Sequence, residues 1–302
     1  MAQKPGLVNW LLVIFLSVIW GASFMNVKIA LTGFGPVTIA ACRITLAAAA
    51  LLMLARAMGQ RLPGVAERRI WAHVLGMAVF SNIVPFTLLS WGQLHVASGF
   101  AGITMSVVPL FTMLLSAWLL PDARLTPARL VGVGLGIAGV ILLIGPRAFA
   151  ATGADMEGLA RLACLGSTLS YAIGSITTRR CPPVPLVALS ASALLVAAVA
   201  MVPLALLAEG WPDFAGAGLR ACLSLAYLGL FPTALATVLL VRVIQSAGPN
   251  FLSMSNYQVP VWSVIFGTVL LGERLPASFL AALVLILAGL AVSNAPAFRR
   301  RP

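Results

Sequence analysis

Ser253, Ser255, Asn256, Tyr257 and Gln258 fill five of six consecutive positions within an otherwise apolar stretch. Hydroxyl, amide and phenol groups donate and accept hydrogen bonds without carrying charge, so such a cluster could hold a small solute and release it. The five residues cover more than one helical turn and cannot all face one narrow neighbour. Part of that turn is expected to line a cavity; the alternative is that these side chains tie helices together, as Ser, Asn and Gln do inside membranes. Arg43 is a buried cation, set among apolar residues. It either attracts a solute carboxylate or binds a neighbouring helix's carbonyls, and the structural role is the favoured one. Trp20 and Tyr171 lie deep in their apolar segments rather than at the ends where aromatic anchors collect, so they either stack on a planar solute or pack the core.

Other chemistries find no support. There is no phosphate-binding Gly-Lys-Ser/Thr loop, no HExxH, no GxSxG and no Cys/His cluster. His73 and His95 are 22 residues apart, about 33 Å along a helix, and cannot share a metal. Cys42, Cys164, Cys181 and Cys222 form no CxxC pair and read as small hydrophobes. The expectation is a protein without metal or cofactor and without enzymatic activity.

The elements that must position these residues follow from composition. Of 302 residues, 61% are hydrophobic and 9% charged, against roughly 25% charged in a soluble domain. So few charges could not coat a water-facing surface. A helix of about 20 apolar residues crosses a bilayer core, and Pro, Gly and charge divide the chain into ten such spans, at 7–31, 36–57, 70–93, 99–120, 127–145, 157–178, 186–208, 217–244, 250–271 and 276–295. The first is too long for a signal-peptide core and is read as retained. Within the third, fourth, eighth and ninth spans stand Pro85, Pro109, Pro232 and Pro260. Each breaks its helix and frees carbonyls at mid-membrane that must find a partner in protein or in cavity water. These four spans, with the first and sixth, are therefore expected to surround a pathway, to which Ser81 and Asn82 before Pro85, and Thr104 and Ser106 before Pro109, add polar groups.

The net charge of +12 comes without a basic helix or stacking platform, which argues against nucleic acid. It carries topology instead. With the N-terminus in the cytoplasm, thirteen of the 19 Lys and Arg fall inside, including Arg56, Arg61, Arg68, Arg69, Arg124, Arg129, Arg179, Arg180 and Arg242, against five outside: Lys28, Arg147, Arg161, Arg220 and Arg274. The excess of positive charge selects both termini cytoplasmic. Lys28 is close enough to its helix end to reach outward. The seven carboxylates all lie in loops or at span ends, which disfavours a buried-acid proton relay.

Shifted by 151 residues, the chain matches itself: Trp20 falls on Tyr171, Lys28 on Arg179, Val108-Pro109 on Val259-Pro260, and Leu119-Leu120 on Leu270-Leu271. Two units, 1–150 and 151–302, are expected. Each holds five spans, so the second must enter the membrane inverted, an arrangement found in secondary transporters with a solute site at the seam. Gly132, Gly134, Gly136 and Gly139 in the fifth span permit close packing, with dimerisation through the fifth and tenth spans as an alternative use.

This pattern resembles the drug/metabolite transporter superfamily, in its ten-helix branch with two EamA-type domains, and within it the aromatic amino acid exporters. The resemblance covers nearly the whole chain. It is carried by Val18-Ile19-Trp20-Gly21-Ala22-Ser23-Phe24, by Arg43, and by Val259-Pro260-Val261 followed by Leu271-Gly272-Glu273-Arg274-Leu275. The first half departs from the last element, having Leu120-Pro121-Asp122-Ala123-Arg124. The resemblance implies an all-α, bacterial inner-membrane exporter of amino acids, metabolites or drugs, monomeric or weakly dimeric, with lipid and a small-molecule substrate as its partners. A membrane-embedded lipid-modifying enzyme and a non-transporting structural subunit are the rival readings.

Overall fold

The computed structural model describes residues 6–119, 126–145 and 156–299. The expected topological charges Lys4, Arg124, Arg147, Arg300 and Arg301, with the Pro121-Asp122 loop, lie outside them. The described residues are helical, without strands. The helices are α1 (Leu7–Ala30), α2 (Pro36–Ala57), α3 (Arg68–His95), α4 (Ser98–Leu119), α5 (Pro127–Ile144), α6 (Met156–Arg180), α7 (Leu186–Glu209) and α8 (Gly218–Ala247). A one-turn helix at Pro249–Leu252 leads into α9 (Ser255–Ile265), and α10 (Ala277–Arg299) ends the described chain. Among the described residues nine helices are long and apolar enough to cross a membrane, which makes this a multi-pass membrane protein.

The helix ends follow local chemistry. Pro36 and Pro127 start α2 and α5 where a missing N–H costs nothing. The side chain of Thr126 accepts the Arg129 N–H at the start of α5.

The ninth span, expected as one helix over 250–271 broken at Pro260, is divided further. Gly248, at φ +84°, stops α8. Turn residues separate Pro249–Leu252 from α9, and Pro260 and a π turn at Phe266–Leu270 follow. Two prolines and a left-handed glycine within thirteen positions prevent one regular ladder here.

Paired helices frame the molecule. The α5 and α10 helices form the most extensive contact, followed by α3 with α6 and α2 with α7, while α1, α4, α8 and α9 complete the packing. The glycines of the fifth span find their partner within the chain. A side chain at Gly132 would strike Ser293 and the Gly289 carbonyl, one at Gly139 would strike Ile286, and Gly136 lies against Leu110 and Gly289. The small-residue face thus packs on α10, and only Gly134 points into open space. Leu207, Val199, Val269 and Val284 stay exposed, as lipid-facing side chains do.

Candidate functional site

A cavity of about 280 Å³ opens between the helices, with walls from α1, α3, α4, α6, α8 and α9. It falls just under the roughly 300–1,000 Å³ typical of drug-sized ligand sites, a size suited to one metabolite. Trp20, Phe24, Phe86 and Tyr171 supply aromatic wall, and Ser23, Ser90, Gln93 and Asn256 supply polar groups. Arg43 reaches in from α2 and is the only Lys, Arg, Asp or Glu in the lining. A larger apolar groove near the ends of α2, α7 and α8 offers no charged group.

Arg43 is held at two points. Its Nε donates to Thr233 Oγ1 at 2.9 Å, and its guanidinium carbon sits 3.9 Å from the centroid of the Phe86 ring. Phe86 in turn meets Tyr171 edge-on at 6.4 Å. A cation over an aromatic face in a dry setting gains about 2 kcal/mol. Among the described residues no hydrogen bond reaches its two terminal nitrogens, although the residue is buried. Such a planar pair of donors matches a carboxylate bidentately. Structural tie and anion binding, set as alternatives from sequence, are thus compatible in one side chain.

The proline breaks do free carbonyls, and the partners can be named. Pro232 cannot donate to the Leu228 carbonyl; the Thr233 hydroxyl does so at 2.9 Å, which also aims its oxygen at Arg43. The chain there forms a π turn, Leu230–Leu235. A matching π turn, Ala78–Ile83, precedes Pro85, where the Asn82 amide donates to the Met77 carbonyl at 3.0 Å and the Ser170 hydroxyl of α6 donates to the Phe80 carbonyl at 2.9 Å. The Pro232 carbonyl accepts the Trp20 indole N–H at 3.1 Å, so Trp20 lies against the cavity with its polar edge already bonded.

Of the side chains singled out from sequence, Trp20, Arg43, Tyr171, Pro232, Asn256 and Pro260 come together in the lining. Others do not. Ser81 faces Gly174 of α6 so closely that a methyl there would collide. Asn82 serves its own π turn. Thr104 and Ser106 are fully buried and bond the Phe100 and Ile103 carbonyls of their own helix, at 2.8 and 2.6 Å. The Tyr257 hydroxyl accepts from the Asn294 amide of α10 at 2.8 Å, the interhelical tie named as the alternative. Gln258 is half-buried outside the lining, as are Pro85, buried, and Pro109, which follows a 3₁₀ turn at Met105–Val107.

Sequence reasoning missed one face of α3. Phe86, Leu89, Ser90 and Gln93 all line the cavity and follow the i, i+3, i+4, i+7 spacing of a single helix stripe. Two polar residues on one stripe of an apolar span were the available signal. Gln93 is the more unusual: wholly buried, it has no hydrogen-bond partner for either amide atom among the described residues. Each unmet buried polar atom costs about 1–3 kcal/mol, and packing alone gives no reason to retain it.

Near the expected outer ends, charge is used for closure. Lys28, expected to reach outward, instead donates to the Gln93 carbonyl in the last turn of α3 at 2.6 Å and to the Val96 carbonyl just past its end at 3.1 Å, which stabilises the negative end of that helix. The Glu273 carboxylate accepts the Ser98 and Gly99 N–H groups at 2.7 and 3.0 Å, capping α4 from beyond α9. Glu209, at the end of α7, caps α2 through the Val37 and Thr38 N–H groups at 2.9 and 2.8 Å. At the opposite ends the Arg180 side chain of α6 donates to the Leu119 carbonyl at the end of α4, the Gln60 side-chain oxygen accepts from Ala188 N–H of α7 at 3.2 Å, and the Ser246 hydroxyl of α8 donates to the Asn9 side chain of α1 at 2.7 Å.

Comparison with known proteins agrees with this architecture. The sequence pattern of the EamA-like transporter family matches twice, at residues 8–145 and 158–295. A probable terminal-alkyne amino-acid exporter of Streptantibioticus cattleyicolor is 28% identical over 97% of this chain and 95% of its own. A probable amino-acid metabolite efflux pump of Salmonella typhimurium is 26% identical over 100% and 98%. An uncharacterized inner membrane transporter of Escherichia coli is 27% identical over 86% and 82%. A solved crystal structure, 22% identical, superposes with a TM-score of 0.66 over 98% of this chain and 99% of that one, a likeness of fold.

Proposed function

The chain belongs to the EamA-like transporter family, and on that premise we propose that it is a bacterial inner-membrane exporter of small amphipathic metabolites. Neutral and aromatic amino acids are the favoured cargo, with planar drugs as a secondary class. The observation that carries this reading is the buried Arg43, whose terminal nitrogens have no hydrogen-bond partner among the described residues, in a cavity otherwise walled by rings, hydroxyls and amides. The guanidinium meets the carboxylate, and the aromatic wall meets the side chain. Relatives described as amino-acid exporters support the same cargo.

On this reading the units 1–150 and 151–302 rock against each other about the cavity, or solute diffuses through it without coupling. Ten helices cross the membrane, the broken ninth included, and both termini are cytoplasmic. Phosphorylated sugars fit poorly, since a single buried cation faces the cavity.

Sealed liposomes holding the purified protein test the proposal by flux of radiolabelled tryptophan, phenylalanine and a charged control. Saturable flux of the first two and little of the control is expected. Absence of any flux would overturn the carrier reading and favour an enzyme or a structural subunit. Uphill accumulation driven by a pH gradient would overturn uncoupled transport alone.

A further inference from the structure

We infer that Gln93 is a second recognition point in the cavity, reading an uncharged hydrogen-bonding group at the far end of the cargo's side chain. This rests on the proposal that the cavity carries amino acids. Gln93 borders the cavity, is wholly buried, and leaves both amide atoms unbonded among the described residues. Its own carbonyl is taken by Lys28, which fixes that turn of α3 while the amide stays free. A primary amide offers donor and acceptor at once, so it serves a hydroxyl or another amide equally well.

Spacing decides which part of the cargo it meets. Arg43 stacks on Phe86, and Gln93 lies seven residues further along α3, a rise of about 10 Å. Two hydrogen bonds of about 2.9 Å each leave roughly 5 Å between the cargo's two polar groups. The carboxylate and ammonium of an α-amino acid are separated by a single carbon, which is too short to serve both points. A side-chain carboxamide such as that of glutamine spans the gap, with Leu89 and the aromatic wall beside its apolar middle, while the phenol hydroxyl of tyrosine reaches past it.

The test uses the full-length protein in liposomes and competition for phenylalanine counterflow. Tyrosine is compared with phenylalanine and glutamine with methionine, pairs of nearly equal shape that differ in the terminal polar group. In the wild-type protein the polar member of at least one pair is expected to compete better by roughly three- to tenfold, the worth of one neutral hydrogen bond. Gln93→Leu should abolish that preference, read as the ratio of competition by the two members of each pair. Should Gln93→Leu fold poorly, Gln93→Met keeps length and flexibility and is read by the same criterion. No preference in either pair, or a preference that survives the substitution, overturns the inference alone. No phenylalanine counterflow by the wild-type protein overturns the amino-acid reading and this inference together.

Discussion

Arg43 carries two duties that separate under substitution. Arg43→Gln removes the charge, and saturable amino-acid flux should fall at least tenfold while detergent-soluble yield falls far less. Equal loss of yield and flux would mean that the side chain only holds α2, α3 and α8 together. Arg43→Lys keeps the charge yet loses both the planar stack on Phe86 and the Nε bond to Thr233, so it should rescue flux only in part. Thr233 is the hinge of this arrangement, because one hydroxyl serves the carbonyl freed by Pro232 and the guanidinium together. Thr233→Val strands both, a loss of about 1–3 kcal/mol, expected as a melting temperature several degrees lower in detergent. Trp20, Arg43 and Tyr171 were legible as residue types out of place in an apolar span. Gln93 was not, because a glutamine near a helix end reads as solvated until the walls around it are known.

Helix pairing decides which glycines matter. Four glycines of α5 looked equivalent in sequence, yet Gly132, Gly136 and Gly139 contact neighbouring helices and Gly134 faces open space. Gly132→Leu should therefore broaden or abolish the monodisperse peak in fluorescence-detected size exclusion, since its side chain would strike the Gly289 carbonyl. Gly134→Leu should leave the peak unchanged. The broken ninth helix belongs to this scale too. Only part of its polar cluster can face a cavity, and the start of α9 divides its side chains accordingly, with Asn256 toward the cavity and Tyr257 toward α10. The 100° step between successive residues sends neighbours in sequence to different partners.

Across the whole molecule, the closures at the two ends differ in the number of charge-assisted bonds they hold. Glu209 and Glu273 each accept two backbone N–H groups across the boundary between the halves, whereas at the opposite end Arg180 donates to the Leu119 carbonyl and Gln60 accepts one N–H. Charge-assisted bonds are the stronger, roughly twice a neutral one, so the end with more of them, that of Glu209 and Glu273, is the more firmly shut. Glu209→Gln combined with Glu273→Gln should expose the cavity from that side. In a background lacking the four native cysteines, a cysteine at Ser90 should react several times faster with a membrane-impermeant maleimide applied outside intact cells. An unchanged rate would show that these caps stabilise helix starts without gating the cavity. Tags on the two termini test the proposed orientation, and both are expected to be protected until the inner membrane is opened.

Sequence by itself determined the solvent, the run of apolar helices, the internal duplication and the residues too polar to be there by accident, because hydrophobic length, charge bias and proline are local properties of the chain. Tertiary structure alone decided which polar groups share a cavity, which glycines touch, and that Lys28, Glu209 and Glu273 close helix ends rather than face water. Those outcomes depend on which face of each helix meets which neighbour. That rotation is set by the summed packing of helices far apart in sequence, so no local pattern encodes it.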